Sequence, residues 1–125
     1  MSHMLRLIWV VWATILWLPL ASYSAPPLQG GLEALPIITF ADLPTEARDT
    51  FQTIKQGGPF PYSRDGVVFN NFERALPEHQ RGYYHEYTVI TPGANNRGVR
   101  RIICGPLPEC YYTADHYQTF KRIQE

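Results

Sequence analysis

Residues 83–104, YYHEYTVITPGANNRGVRRIIC, carry the pattern that decides the fold. Two runs rich in β-branched and aromatic side chains, 83–91 and 99–104, are typical of β-strands. The segment between them contains proline, glycine and a pair of asparagines, which favour a turn. The stretch therefore predicts two strands joined by a polar connection.

Charged side chains have a defined place in this pattern. Side chains alternate between the two faces of a strand, so Glu86 shares a face with Tyr84 and Thr88. By the same rule, Arg101 lies opposite Ile102 on the second strand. The sequence alone does not set the register between the strands.

One segment outside this stretch has a helical pattern. In Thr45–Gln56, the apolar residues Ala47, Phe51 and Ile54 recur at helical spacing. Pro44 precedes the segment, and glycines at 57 and 58 end it. Strand-like runs are predicted at 67–69, 83–91, 99–104, 111–113 and 120–123. One N-terminal helix packed on a small antiparallel β-sheet predicts an α+β fold.

The first 24 residues differ in composition from the rest. Arg6 is the only charged residue before Glu33, and residues 7–18 are almost wholly apolar. This run is shorter than the roughly 20 residues of a membrane span and is followed by small residues, as in a signal peptide. We predict a leader at 1–24, cleaved after Ser24; an uncleaved membrane anchor is the alternative. The exported form would be secreted, without stable membrane association.

Residues 25–38 are predicted to form a flexible lead-in and residues 39–125 a single domain. A mature chain of about 100 residues can build one small core, and we predict a monomer. The whole chain has 11 basic and 11 acidic side chains, so bulk charge does not favour a protein that coats long nucleic acids. The positive charge is concentrated at Arg97, Arg100 and Arg101, which suits a site that holds one or two phosphates.

Cys104 and Cys110 are the two cysteines of the chain. Export would allow a disulfide, so a bridge between them is one interpretation. The favoured interpretation is a buried thiol at Cys104 and an independent Cys110 beyond the loop.

A carboxylate, an imidazole and a cluster of arginines suggest phosphodiester chemistry. Cleavage of a phosphodiester without a metal needs a base, an acid and cations that hold the phosphate. Glu86 is such a carboxylate, His116 such an imidazole, and Arg97, Arg100 and Arg101 are the cations. Taken singly, each is more often a solvated or structural side chain. No His, Cys or Asp cluster has metal-ligand spacing, so neither a metal nor another cofactor is predicted.

Several tracts resemble the secreted microbial guanyl-specific ribonucleases of the barnase-like superfamily. The tracts are 58–63, 65–71, 83–94, 100–105 and 115–117, within a resemblance that runs from about Leu43 to Phe120. It implies that Glu86 is the general base and His116 the general acid, and that Glu86 and Arg101 share the open face of the sheet. It also implies that Arg97, Arg101 and Tyr117 bind the phosphate.

The same resemblance places guanine recognition at 69–73. Guanine presents acceptors at O6 and N7 and donors at N1 and N2. The backbone amides of Asn70, Asn71 and Phe72 would meet the acceptors, and the carboxylate of Glu73 the donors. Phe69 would stack on the base.

We therefore predict an endoribonuclease that cleaves single-stranded RNA 3′ of guanosine through a 2′,3′-cyclic phosphate. The alternatives are a secreted antibacterial toxin with the same chemistry and a non-catalytic RNA-binding module. Barstar-like inhibitors bind some relatives, so the resemblance also suggests such a protein as a partner.

Overall fold

The structure is a computed structural model that describes residues 34–125. The predicted leader at 1–24 and most of the predicted lead-in lie outside these residues. No helix in the described part is long and apolar enough to cross a membrane. The elements, in chain order, are β1 (Ile37–Thr39), a 3₁₀ turn (Phe40–Asp42), α1 (Thr45–Gln56), β2 (Val68–Phe69), β3 (Tyr84–Thr88), β4 (Arg101–Cys104), β5 (Cys110–Thr113) and β6 (Lys121–Gln124).

The strands form one six-stranded sheet in the order β1-β6-β5-β4-β3-β2. Every neighbouring pair is antiparallel except β1 and β6, which are parallel. The single α-helix of the described region packs on this sheet, so the predicted α+β fold is confirmed.

The edge strand β1 was not predicted from the sequence. Ile37 and Ile38 were assigned to the flexible lead-in, but they pair with Arg122 and Ile123 of β6. The strand has only three residues, and Ile37 is 61% exposed. Its sequence, Ile-Ile-Thr, has no alternation of apolar and polar residues. Its conformation depends on β6, which lies more than 80 residues later in the chain.

The helix has the predicted bounds. Gly57 ends it in the left-handed conformation with φ 82°, which glycine adopts without the steric cost that a side chain would add. Ala47, Phe51 and Ile54 are buried against the sheet. Burial of a large apolar side chain such as Phe51 contributes about 1.5–3 kcal/mol.

The two faces of the sheet bury separate clusters. The helix covers Val89, Ile102, Cys104 and Tyr112 on one face. The opposite face carries a second cluster made of Leu76, Tyr84, Ile103, Tyr111 and Phe120.

The register of β3 and β4 pairs Glu86 with Ile103 and Thr88 with Arg101. Because directly paired residues point to the same face, Glu86 and Arg101 share the face without the helix, as expected. The strands are shorter than predicted: β3 ends at Thr88 and β4 begins at Arg101.

Cys104 and Cys110 form a disulfide, so the favoured prediction of two independent cysteines is wrong. They face each other across β4 and β5 with Cα atoms 4.1 Å apart. The short loop of 105–109 turns back tightly, with Gly105 N–H donating to the Glu109 carbonyl. The loop length alone did not reveal this pairing.

Candidate active site

Glu86 is the buried carboxylate around which the site is built. It is only 6% exposed, and burial of an unpaired charge would be costly. Its Oε2 accepts a hydrogen bond of 2.8 Å from the Tyr117 hydroxyl, and its Oε1 accepts one of 3.4 Å from Arg97 Nη2. The Arg64 Nε lies 4.0 Å from the same Oε1. A hydroxyl and two cations therefore lie next to this carboxylate.

The backbone around Glu86 is held by a turn at 62–66. Glu86 N–H donates to the Val67 carbonyl, and Gly66 N–H donates to the Glu86 carbonyl at 2.7 Å. Asp65 spans the turn and the strand, because its two oxygens accept from the N–H groups of Tyr62 and Thr88. This arrangement fixes the backbone from which Arg64 extends.

Arg97 reaches Glu86 from the connection between β3 and β4. Its Nε donates to Thr88 Oγ1 at 3.0 Å, and its guanidinium carbon lies 6.0 Å from the centre of the Tyr62 ring. Thr88 lies on the same face of β3 as Glu86, so strand alternation could have revealed that the Thr88 side chain belongs to the site. Thr88 and Tyr62 were not predicted as part of the site.

Arg101 is buried, at 4% exposure. Its Nη1 donates to the carbonyls of Gly98 and Arg100. Its Nε is buried and has no hydrogen-bond partner among the described residues. Within 4.0 Å, the cationic partners of Glu86 among the described residues are Arg97 and Arg64.

A strained turn presents His116 and Tyr117. Both residues have positive φ, 56° and 70°, which is uncommon for residues with a side chain. Asp115 stabilises the turn: it accepts from Thr119 N–H and from the hydroxyls of Thr119 and Thr113. The hydrogen bonds from Thr119 are the main reason that the pKa of Asp115 falls to about 2.

Tyr117 lies between the carboxylate and the loop at 69–73. Its ring stacks on Phe69 with centroids 5.2 Å apart. Burial, followed by the hydrogen bond to Glu86, raises the pKa of Tyr117, while the charge of Arg101 acts in the opposite direction. The hydroxyl therefore remains a donor to Glu86. The predicted contact of Tyr117 with phosphate stays a prediction.

The loop at 69–73 forms the wall of a cavity of about 500 Å³. Asn71, with φ 52°, closes the loop by pairing its side-chain amide with the N–H and carbonyl of Leu76. Phe72 is 86% exposed, and Glu73 is exposed on the same cavity. Phe69, Asn70, Arg64, Glu86 and His116 also line it.

The structure thus brings Glu86, His116 and the 69–73 loop to one cavity, with Arg97 on the carboxylate. His116 is exposed, and its ring centroid lies 4.8 Å from that of Tyr117. A carboxylate and an imidazole on the walls of one cavity can accept and donate protons on a molecule bound between them. The arginines can stabilise negative charge that develops there.

Arg100, in contrast, lies on the helix face beside Tyr112, where its charge opposes the effect of burial on the pKa of that tyrosine. It is not part of the cavity.

A family model described as ribonuclease matches residues 33–124. The chain is 58% identical over 89 residues to guanyl-specific ribonuclease Sa of Kitasatospora aureofaciens, covering 70% of this chain and 93% of that protein. It is 57% identical over 93 residues to guanyl-specific ribonuclease Sa3 of the same organism, covering 74% of this chain but 66% of that protein. It is 52% identical over 84 residues to guanyl-specific ribonuclease St of Saccharopolyspora erythraea, covering 67% and 83%.

Solved structures of ribonuclease Sa2 have the same fold. A structure from its complexes with mononucleotides superposes with a TM-score of 0.73 at 49% identity, covering 74% of this chain and 97% of that one. The complex of Sa2 with guanosine-2′-cyclophosphate gives a TM-score of 0.70 at 49% identity, covering 73% and 97%.

Proposed function

This chain belongs to the ribonuclease family, and we propose that it is an endoribonuclease that cleaves single-stranded RNA on the 3′ side of guanosine. The observation that carries the proposal is the buried Glu86 carboxylate, hydrogen-bonded to Tyr117 and paired with Arg97, on the same cavity as His116. The relatives named above are guanyl-specific ribonucleases, and one neighbouring structure holds a guanosine cyclophosphate.

In the first step, Glu86 removes the proton from the 2′-hydroxyl of guanosine. The 2′-oxygen attacks phosphorus, and the bond from phosphorus to the 5′-oxygen of the next nucleoside breaks. His116, as the imidazolium, protonates that 5′-oxygen. The products are a guanosine 2′,3′-cyclic phosphate and a free 5′-hydroxyl.

In the second step, the roles reverse, as microscopic reversibility requires. Neutral His116 removes a proton from water, which attacks phosphorus. The bond from phosphorus to the 2′-oxygen breaks, and Glu86 returns the proton to that oxygen. The product is a 3′-phosphate.

The arginines stabilise charge on the phosphate. Arg97 and Arg101 carry planar guanidinium groups that bind two oxygens at once, and the unpaired Nε of Arg101 has a donor to offer. Arg64 adds a third cation, and it is the arginine that itself lines the cavity. Since two side chains transfer the protons and the arginines balance the charge, the reaction needs no metal ion.

Guanine specificity resides in the loop at 69–73. The N–H groups of Asn70, Asn71 and Phe72 donate to guanine O6 and N7, and Glu73 accepts from N1 and N2. Adenine has a donor at N6 in place of the O6 acceptor, an acceptor at N1 and no amino group at C2, so of these contacts it keeps only the one at N7. Phe69 stacks on the base.

Export and partners belong to the same proposal. The apolar run at 7–18 supports a leader that directs the enzyme out of the cell as a monomer. Once outside, the enzyme would degrade RNA as a scavenger. A barstar-like inhibitor is the protein partner that we propose for the producing cell.

The experiment is digestion of a defined single-stranded RNA by residues 25–125, in excess chelator, with mapping of the fragment ends. We expect fragments that end in guanosine 2′,3′-cyclic phosphate and later in guanosine 3′-phosphate. Cuts distributed over all four bases would contradict the guanine proposal, and loss of activity in the chelator would contradict the metal-free mechanism.

A further inference from the structure

A second cavity lies behind the 69–73 loop. It has a volume of about 230 Å³ and shares Phe69, Asn70, Asn71 and Phe72 with the first cavity. It contains neither Glu86 nor His116. The loop that we assign to guanine is therefore a wall between two cavities, and the proposed reaction uses only one of them.

The lining of the second cavity suits an anion. Arg74, His79, Gln80 and Arg81 line it, with Glu78 as its one carboxylate. Arg74 pairs with Glu78 at 3.9 Å, whereas Arg81 has no ion-pair partner within 4.0 Å in the described part of the chain. Because Glu78 offsets only one of the two guanidinium groups, the wall keeps a net positive charge.

Aromatic rings complete the lining. Phe72 borders both cavities and is 86% exposed, and solvation of a bare phenyl ring is unfavourable. His79 stacks on Tyr83 with ring centroids 3.7 Å apart, which holds the imidazole in place. A cationic wall beside an exposed aromatic ring is the combination that binds a nucleotide of single-stranded RNA.

We infer that this second cavity binds the nucleotide on the 5′ side of the cleaved guanosine. Its phosphate contacts Arg81 and Arg74, and its base stacks on the Phe72 ring. The 5′-to-3′ direction of the bound RNA follows from the positions of His116 and the guanine loop. His116 serves the leaving nucleoside on the 3′ side, so a cavity that adjoins the guanine loop and lacks His116 lies towards the 5′ side. The inference rests on the proposed guanosine cleavage and extends it to a neighbouring nucleotide.

The test compares kcat/KM for three substrates: GpU, ApGpU, and ApGpU in which the 5′ nucleotide is abasic. The abasic form adds only the upstream phosphate and sugar, and ApGpU adds the base as well. In the wild type we expect ApGpU to exceed GpU by about fivefold, the size of a charge contact on an exposed surface combined with partial stacking.

Arg81→Gln should reduce the gain from the upstream phosphate, which is the ratio of kcat/KM for abasic ApGpU to that for GpU, to twofold or less. Cleavage of GpU itself should stay unchanged. Phe72→Ala should remove the difference between ApGpU and its abasic form. The matched control is Arg122→Gln, because Arg122 is also exposed but lies on β6, towards the other edge of the sheet. This control should keep the full gain.

Equal kcat/KM for GpU and ApGpU in the wild type, or a full gain in Arg81→Gln, would overturn the upstream subsite. Failure of the wild type to cleave GpU would instead contradict the proposed function. The two failures are thus distinguished in one set of assays.

Discussion

The Tyr117 hydroxyl donates a 2.8 Å hydrogen bond to Oε2 of the buried Glu86. The bond joins the turn that carries His116 to the strand that carries the carboxylate. It therefore sets the relative position of the two groups that we propose as acid and base.

Removal of this hydroxyl in Tyr117→Phe should lower kcat on a guanylyl dinucleotide by about tenfold or more, because a hydrogen bond to a charged group contributes about 1.5–3 kcal/mol. The matched control is Tyr83→Phe, which removes a 2.7 Å hydrogen bond to Glu109 outside the cavity. Steady-state kinetics of both variants would check this. Equal kcat values for the two variants would show that the bond does not position Glu86.

Glu73→Gln should lower kcat/KM for guanylyl substrates by about 10- to 100-fold, which corresponds to one lost charged hydrogen bond. Cleavage after other bases should change little, since Glu73 has no part in the proposed proton transfers. Rates on dinucleotides with each of the four 5′ bases measure the change in preference. Glu78→Gln is a control from the neighbouring cavity. If Glu73→Gln keeps full guanine preference, base recognition resides elsewhere.

The resemblance and the strand alternation together predicted much of this site. The pattern around Glu86 gave the correct face, and the structure places Arg101 on it. The sequence could not show that Arg64 approaches Glu86 or that Tyr117 donates to it. Both contacts depend on turns, at 62–66 and 115–119, whose shape is set by the hydrogen bonds of Asp65 and Asp115.

Asp115 should make stability sensitive to acid. Its folded pKa of about 2 lies below the ordinary value of 3.8, so its contribution is present above about pH 4 and is lost as the pH falls through 2. Urea unfolding of the wild type and Asp115→Asn between pH 5 and 2 measures this. The difference in unfolding free energy between the two proteins should shrink as the pH falls.

Asp49→Asn, on the exposed side of the helix, is the control for the removal of a carboxylate. A difference between wild type and Asp115→Asn that stays constant over this pH range would show that the charge of Asp115 does not hold the turn.

The fold was predicted where local signals were strong. The helix bounds follow from Pro44 and Gly57, and the strands from their alternating side chains. The strand β1 and the disulfide were missed because each depends on a partner that comes from elsewhere in the chain. Three residues without alternation give no local signal, and a six-residue separation between cysteines does not reveal that β4 and β5 pair in register.

The Cys104–Cys110 disulfide should stabilise the fold by about 2 kcal/mol, the value expected for a short closed loop. Wild-type protein should therefore unfold at lower denaturant concentration in the presence of a thiol reductant. Cys110→Ala should unfold at the same concentration with and without reductant, which separates the cross-link from the packing of the side chain. A wild-type midpoint that does not respond to reductant would contradict a stabilising bridge.

The central claim is that Glu86 and His116 transfer the protons, and single-turnover cleavage of GpU in excess chelator tests it most directly. Wild type, Glu86→Gln and His116→Asn are compared; asparagine tolerates the positive φ of position 116. Each variant should lose about 100-fold or more in the cleavage rate and remain folded. Wild-type rates in both variants would contradict the account.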